Sequence, residues 1–345
     1  MKIAQIMLAK GFGGAERSFV DLCAELIDRG HDVLAVCEQR GAARPMLERV
    51  CGLRIETPRV WGAWDPFARR AILRALRKHG SEVVQCHLAR AAHLGGAAAR
   101  ALGLPTLAKT HNYVDLKYYR AIDLLVPTTQ SQADYLREQR IPTERIVQIP
   151  NFSRLTVSIR RPSVIDGPLR VLGLGRFVEK KGFDVLLDAL ALLAPQRIAL
   201  TLAGDGPLRE ALHARAQALP PTVTVRFSGW VEDVAPLFAA HDLFVLPSRD
   251  EPFGIVILEA MAAGVPIIAT RTRGPLEILD AATAVLVDIG DVQALAQAID
   301  GILRDRSGAL DRAARAAAVY ETTYSAAAVV PRYEALYTVL TRGRK

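Results

Sequence analysis

The sequence lacks most of the features that commit a chain to disulfide, zinc or membrane-spanning chemistry. Its 345 residues hold four cysteines, Cys23, Cys37, Cys51 and Cys86, scattered and without a Cys-x-x-Cys pair. That spacing argues against a metal site or a disulfide framework and fits small core residues in a reducing compartment. Half the residues are apolar, yet no apolar run approaches the roughly 20 residues of a membrane span. Residues 1–8 form one short strand-like run without the layout of a signal peptide, so a cytoplasmic location is expected. The Walker pattern is missing, and the dinucleotide fingerprint fails because Glu16 stands at its third glycine position, counted from Gly11.

Acidic charge is scarce in the first half only. Residues 1–150 carry 22 Lys and Arg against 15 Asp and Glu, a net +7; residues 151–345 carry 22 against 21, a net +1. Such an excess suits an anionic partner: a phospholipid surface, a charged acceptor or nucleic acid. No nucleic-acid motif accompanies the charge, so nucleic acid is not expected. Within this half, Asp65 can cap a helix with Pro66 at its first position. Phe67, Ile72, Leu73 and Leu76 would supply apolar groups there, and Arg69, Arg70, Arg74, Arg77 and Lys78 charge, with Trp61 and Trp64 just ahead. This basic amphipathic segment can lie in a lipid interface or cover a sheet; the sequence alone leaves both open.

Strand and helix signals alternate along the whole chain. A first strand at 2–8 leads through Gly11-Phe12-Gly13-Gly14 into a helix, a layout that lets backbone N–H groups approach a phosphate. Further strands are expected at 33–37, 53–56, 83–86, 105–108, 123–127 and 146–149. His111, in Lys-Thr-His-Asn, falls just past one of them, where open α/β sheets bind ligands. Residues 151–168 lack periodicity and read as a linker. The alternation restarts at 169–174, which ends in a loop carrying Arg176, Lys180 and Lys181. A guanidinium fork and a point ammonium on one loop can hold and neutralise a diphosphate. This βα alternation predicts parallel sheets covered on both faces. Val329, Val330, Tyr333, Leu336, Tyr337 and Leu340 recur at helical spacing near the end.

The run from Arg249 to Gly264 carries the strongest signal. From Gly254 onward the residues form helices well and leave no polar face, yet Glu259 sits among them, and Glu251 lies just before. A carboxylate in an apolar helix needs hydrogen-bond partners or a ligand's hydroxyls. Read from these residues alone, the two glutamates are either structural or ligand-binding.

The whole run resembles the glutamate-x7-glutamate motif of retaining GT-B glycosyltransferases, and more narrowly glycosyltransferase family 4. Pro-Ser-x-x-Glu-Pro-Phe-Gly followed by Glu-Ala-Met-Ala-x-Gly-x-Pro matches over 247–266. Gly-Gly-Ala-Glu-Arg near the start, Gly30-His31-Asp32-Val33, Ile149-Pro150-Asn151, Gly-Arg-x4-Lys-Gly and the Gly204-Asp205-Gly206-Pro207 turn are also similar to that family. The resemblance implies the GT-B fold: two Rossmann-like domains facing a central cleft, with a C-terminal helix crossing back to the first. The expected domains are 1–150 for the acceptor, the linker 151–168, 169–325 for the nucleotide-sugar, and the crossing helix 326–345.

The resemblance also assigns roles. His111 and Glu251 would contact the transferred sugar, Arg176 and Lys181 the diphosphate, and Glu259 the ribose hydroxyls. Gly13 and Gly14 would lie under the diphosphate, Trp230 and Val231 by the base, and Phe253, Gly254 and Ile255 at a helix start facing the donor. No Asp-x-Asp occurs, so no metal is expected, and no cofactor beyond a UDP- or GDP-linked sugar. The implied reaction is retaining transfer to the hydroxyl of a glycan or lipid-linked acceptor in bacterial cell-surface or lipopolysaccharide synthesis. A peripheral site on an anionic membrane is compatible with it. A soluble acceptor, a GT-B-like sugar-nucleotide epimerase and a non-catalytic binding module are the alternatives.

Overall fold

The computed structural model describes residues 1–11, 13–158, 167–193 and 196–343. The chain divides into two compact units, Met1–Ser153 with Ala326–Lys345, and Arg154–Ser325. Part of the stretch read as the linker 151–168, residues 159–166, lies outside the described residues. What is described there is not free linker. Asn151, Phe152 and Ser153 are buried in the first unit, while Leu155 and Val157 pack on the core of the second.

The first unit holds a six-stranded sheet: β1 Lys2–Met7, β2 Asp32–Cys37, β3 Arg54–Glu56, β4 Val83–His87, β5 Thr106–Lys109 and β6 Leu124–Val126. Their order is β3-β2-β1-β4-β5-β6, and every pair is parallel. The segment 146–149, expected as a strand, makes one isolated bridge, Leu125 with Ile146. Pro150 has no N–H with which to continue a ladder. Period-2 alternation divides the strand side chains between two cores. Ala4, Ile6, Val84 and Cys86 pack under the Pro66–His79 and Leu88–Arg100 helices. Ile3, Met7, Val33 and Val83 pack under the Gly14–Asp28 helix and the C-terminal helix Ala326–Arg342, through Phe19, Leu22, Val329, Tyr333 and Tyr337.

The second unit repeats the plan with β7 Leu169–Leu174, β8 Ile198–Ala203, β9 Val223–Gly229, β10 Leu243–Leu246, β11 Ile267–Thr270 and β12 Val285–Val287. These lie in the order β12-β11-β10-β7-β8-β9, again all parallel. Renumbered within their units, both sheets read 3-2-1-4-5-6, the doubly wound Rossmann order. Each therefore has a switch point beside its first strand, β1/β4 in one and β7/β10 in the other. A ligand is expected outside the strand carboxyl ends there. Among the described residues, no helix is long and apolar enough to cross a membrane.

Candidate active site

In the second unit the expected residues gather on the loops that leave β7 and β10. Arg176 is exposed just past the end of β7, and Lys181 follows in a single 3-10 turn, Glu179–Lys181. The Lys181 ammonium is ion-paired with the Glu251 carboxylate, both largely buried. The two loops are tied by more than this pair. The Arg249 guanidinium donates two bonds to the Asp184 carboxylate, at 2.8 and 2.6 Å, and one to the Glu179 carbonyl at 2.9 Å. The Arg249 N–H donates to the Lys180 carbonyl at 2.7 Å. This bidentate geometry holds Asp184 ionised, its carboxyl below the usual range chiefly through the Arg249 hydrogen bonds.

Close backbone approach fixes the loops further. A Cβ on Gly182, at φ +64°, would stand 2.1 Å from the Pro247 carbonyl oxygen; one on Gly204, at φ +138°, would stand 1.9 Å from that of Gly175. Only glycine fits either place. The Gly-x-Gly-Pro turn is thus what lets the end of β8 lie against the Arg176 loop.

Beyond Glu251, Phe253 is buried and Gly254 opens the Ile255–Ala262 helix with no side-chain cap on its first N–H groups. Glu259 is buried midway along that helix. Trp230, past the end of β9, is 54% exposed, which rules out a core role for it, and Val231 beside it is half-buried. A charged pair, an exposed guanidinium and a start of uncapped N–H groups thus line one edge of this sheet. That set can neutralise a phosphoanhydride and bind hydroxyls.

In the first unit Gly13 and Gly14 begin the Gly14–Asp28 helix beside β1 and are exposed. The helix start is not vacant. The backbone N–H groups of Gly13 and Glu16 bond the Glu16 carboxylate, and burial raises its pKa above the ordinary value in spite of them. A phosphate arriving here must share those donors with Glu16.

His111 lies two residues past β5 with φ +58°, and Leu88, just past β4, has φ +67°. Left-handed backbone at a non-glycine residue is strained, and such residues concentrate at functional sites. The imidazole of His111 is buried against that of His87, with 3.1 Å between His111 Nε2 and His87 Nδ1. His87 Nε2 is 2.9 Å from Gln5 Oε1. Burial, and secondly the Lys109 charge, push the pKa of both histidines well below the usual value, so both are neutral. Lys109 is itself fully buried and donates to Ser18 Oγ at 3.0 Å; burial pushes its pKa down to about 7.

Glu16, His87, Lys109 and Gln5 were not singled out from the sequence as site residues. The available signal was polarity on strands buried on both faces: Gln5 in β1, and Gln85 with His87 in β4. Among the described residues, no cluster of three or more His, Cys, Asp or Glu side chains could hold a metal ion.

Two family models cover most of the chain. The one described as Glycosyltransferase Family 4 matches 12–155, and the one described as Glycosyl transferases group 1 matches 168–305. The lipopolysaccharide core biosynthesis glycosyltransferase LpsE of Rhizobium meliloti is 33% identical over 314 residues, spanning 89% of this chain and 90% of that protein. The chain belongs to glycosyltransferase family 4. LpsD of the same organism, also a lipopolysaccharide core biosynthesis glycosyltransferase, is 33% identical over 317 residues, 86% of this chain and 88% of that protein. Among solved structures, Anabaena HepE in complex with UDP superposes with a TM-score of 0.84 at 22% identity, covering 98% of this chain and all of that one. The same fold recurs in WaaG, a glycosyltransferase of lipopolysaccharide biosynthesis, at a TM-score of 0.69 and 18% identity over 97% of this chain and 99% of that one. The protein is thus a family 4 glycosyltransferase of GT-B-like two-domain architecture.

Proposed function

We propose that this glycosyltransferase moves a hexosyl unit from a UDP- or GDP-linked sugar to a hydroxyl of a cell-surface glycan precursor, of the lipopolysaccharide core type, retaining the anomeric configuration. The observation that carries the reading is the Lys181–Glu251 ion pair with Arg176 exposed on the same loop, all at a switch point. Lys181 and Arg176 neutralise the diphosphate as it leaves, in place of a metal ion, and Glu251, already held by Lys181, meets the sugar. Glu259 takes the ribose hydroxyls, Trp230 and Val231 lie by the base, and the N–H groups from Phe253 to Ile255 face the donor. In the first unit Gly13 and Gly14 approach the diphosphate and His111 contacts the sugar. The acceptor oxygen forms the new bond to the anomeric carbon on the face the phosphate leaves. The carbon–oxygen bond to the phosphate breaks, and the departing phosphate oxygen takes the acceptor's proton. The names of LpsE and LpsD support the acceptor class, and the UDP complex of HepE supports a nucleotide donor.

The test is incubation with UDP- and GDP-sugars, with and without a lipopolysaccharide core acceptor and with and without chelator. Slow release of nucleoside diphosphate without acceptor, faster release with it, an α-linked product from an α-linked donor and indifference to chelator are expected. An isomerised nucleotide-sugar and no transfer would make the protein an epimerase. Inversion, or loss of activity on chelation, would overturn those two particulars.

The segment ahead of the Pro66–His79 helix supports a membrane setting for the acceptor. Ile72 and Leu76 are buried in the sheet core, so the helix's apolar stripe serves packing. Trp61, Trp64 and Phe67 are nonetheless 73%, 69% and 81% exposed, and Arg69, Arg70, Arg74, Arg77 and Lys78 are exposed with them. Exposed aromatics rimmed by five cations suit an anionic bilayer, at about 1 kcal/mol per basic residue. Liposome co-sedimentation should show binding to anionic but not neutral vesicles, weakened by salt and by Trp61→Ala with Trp64→Ala. No preference for anionic lipid at low salt would favour a soluble acceptor.

A further inference from the structure

Alternation along β1 and β4 points Gln5, Gln85 and His87 toward the face covered by the C-terminal helix, among Ile3, Met7 and Val83. Tyr337 of that helix closes the group. Gln5 Nε2 donates to the Tyr337 hydroxyl at 2.9 Å, and that hydroxyl donates to Gln85 Oε1 at 2.6 Å. All four side chains are fully buried, so the protons on one member constrain those on the next.

That constraint sets the protons in sequence. With Gln5 Nε2 on Tyr337, Gln5 Oε1 faces His87 Nε2 and can only accept, so His87 Nε2 carries the hydrogen. A neutral His87 then has a bare Nδ1. His111 Nε2 must donate to it across the 3.1 Å contact, which leaves His111 Nδ1 bare. Gln85 Nε2 stands 3.4 Å from the same His87 Nε2; a ring nitrogen that gives its hydrogen to Gln5 Oε1 at 2.9 Å cannot also accept, so the shorter contact decides the tautomer.

We infer that Gln5, Gln85, His87 and Tyr337 are positioning residues that hold His111 in its Nε2–H tautomer, so that it offers Nδ1 as a hydrogen-bond acceptor to a sugar hydroxyl. The use made of that acceptor rests on the reading of His111 as a sugar contact; the tautomer itself does not. The consequence is that a residue some 220 positions away in sequence sets the polarity of a site group. A donor hydroxyl facing His111 is recognised as a hydrogen giver, and a sugar lacking that hydroxyl is disfavoured because a buried acceptor is left unpaired.

The experiment is nitrogen NMR of the full chain carrying labelled histidine, with the His111 signals assigned by their loss in His111→Gln. In the wild type at neutral pH His111 should show protonated Nε2 and bare Nδ1. Protonated Nδ1, or an imidazolium, would overturn the inference. Tyr337→Phe keeps the ring and removes the hydroxyl that fixes both amides, so His111 should become a mixture of tautomers. Tyr333→Phe is the control. Tyr333 is as buried, lies on the same helix, and its hydroxyl has no hydrogen-bond partner among the described residues. It should leave the tautomer unchanged. In transfer assays Tyr337→Phe should lower kcat about tenfold with donor KM within about twofold, while Tyr333→Phe changes neither. Equal effects of the two substitutions, on either readout, would reduce Tyr337 to packing and overturn the inference. A failed transfer assay with the expected tautomer present would instead count against the proposed reaction.

Discussion

The two units share a strand order and differ in how they keep polar groups. The second keeps them as opposite charges at the ends of β7 and β10, Lys181 with Glu251 largely buried and Arg249 with Asp184 partly open to solvent. The first keeps them as neutral or nearly neutral groups sealed beneath a helix: two histidines, two glutamines, a tyrosine and a lysine pushed down to about 7. A fold with one topology can thus present an edge of paired charges in one copy and a polarised, uncharged edge in the other. Loops set the first, and strand positions facing inward set the second.

The largest effect should come from breaking a loop pair. Lys181→Ala removes the cation, leaves Glu251 without its ion-pair partner and, on the proposed reading, takes a donor from the diphosphate. A loss in kcat/KM of about 10²–10³ is expected, the scale of a lost transition-state donor, and a lowered Tm should accompany it, because the largely buried Glu251 carboxylate loses its counter-charge. An activity within a few-fold of wild type would mean that Lys181 serves Glu251 only. Arg176 is exposed and its guanidinium makes no hydrogen bond among the described residues, so Arg176→Ala should lower turnover severely and leave the Tm unchanged.

Next comes backbone geometry. Gly204→Ala must drive a methyl to within 1.9 Å of the Gly175 carbonyl oxygen at φ +138°, and should lower unfolding free energy by about 3 kcal/mol or more. Gly13→Ala has extended backbone, φ −164°, and its nearest neighbour at 3.5 Å. It should change stability by less than about 1 kcal/mol. Equal costs, measured by denaturant titration, would erase the distinction between a turn shaped by close approach and one that merely exposes N–H groups.

These contrasts explain what was legible in the sequence. The second unit's residues sit on short loops, so Gly-Arg-x4-Lys-Gly and the Glu251–Glu259 run each fall within one contiguous stretch. The β7 strand is read to the residue, because its apolar run meets glycine at once. The first unit's group is assembled from β1, β4, the loop past β5 and residue 337. No contiguous window contains it, and a buried Gln or His in a strand has no spacing rule to mark it. Ile72, Leu73 and Leu76 show the opposite failure. Their helical spacing was compatible with lipid or sheet, and only burial decides, in favour of the sheet.

A smaller effect probes the sealed lysine. Its pKa lies near 7 in the fold and about 10.4 in the unfolded chain. Below both values each state is protonated, and the fold carries the full cost of a buried cation. Between them the unfolded chain binds more protons, so this group makes stability rise with pH from about 7 to about 10.4. Lys109→Met removes that term. The stability of the wild type relative to the variant should rise by up to about 2 kcal/mol between about pH 7 and about pH 8.5, at 1.36 kcal/mol per unit. A difference flat with pH would mean that Lys109 keeps one protonation state throughout.

The smallest effect belongs to the exposed edge of the first unit. Asp65 caps the Pro66–His79 helix, accepting from the N–H groups of Phe67 at 2.9 Å and Ala68 at 3.0 Å, and also from that of Trp61 at 2.9 Å. Asp65→Ala should therefore cost about 1 kcal/mol at neutral pH, as N-cap losses do. The Trp61 N–H foremost, and then those of Ala68 and Phe67, hold the Asp65 carboxyl below its usual range against the opposing effect of burial. Its contribution is present above the unfolded value of about 3.9 and is lost as pH falls through the lower folded value. Denaturant titrations of wild type and Asp65→Ala should accordingly differ by about 1 kcal/mol near pH 7 and converge toward pH 3. A difference that persisted in acid would assign the loss to packing of the Trp61 loop, and the carboxylate would then not be what fixes the aromatic edge.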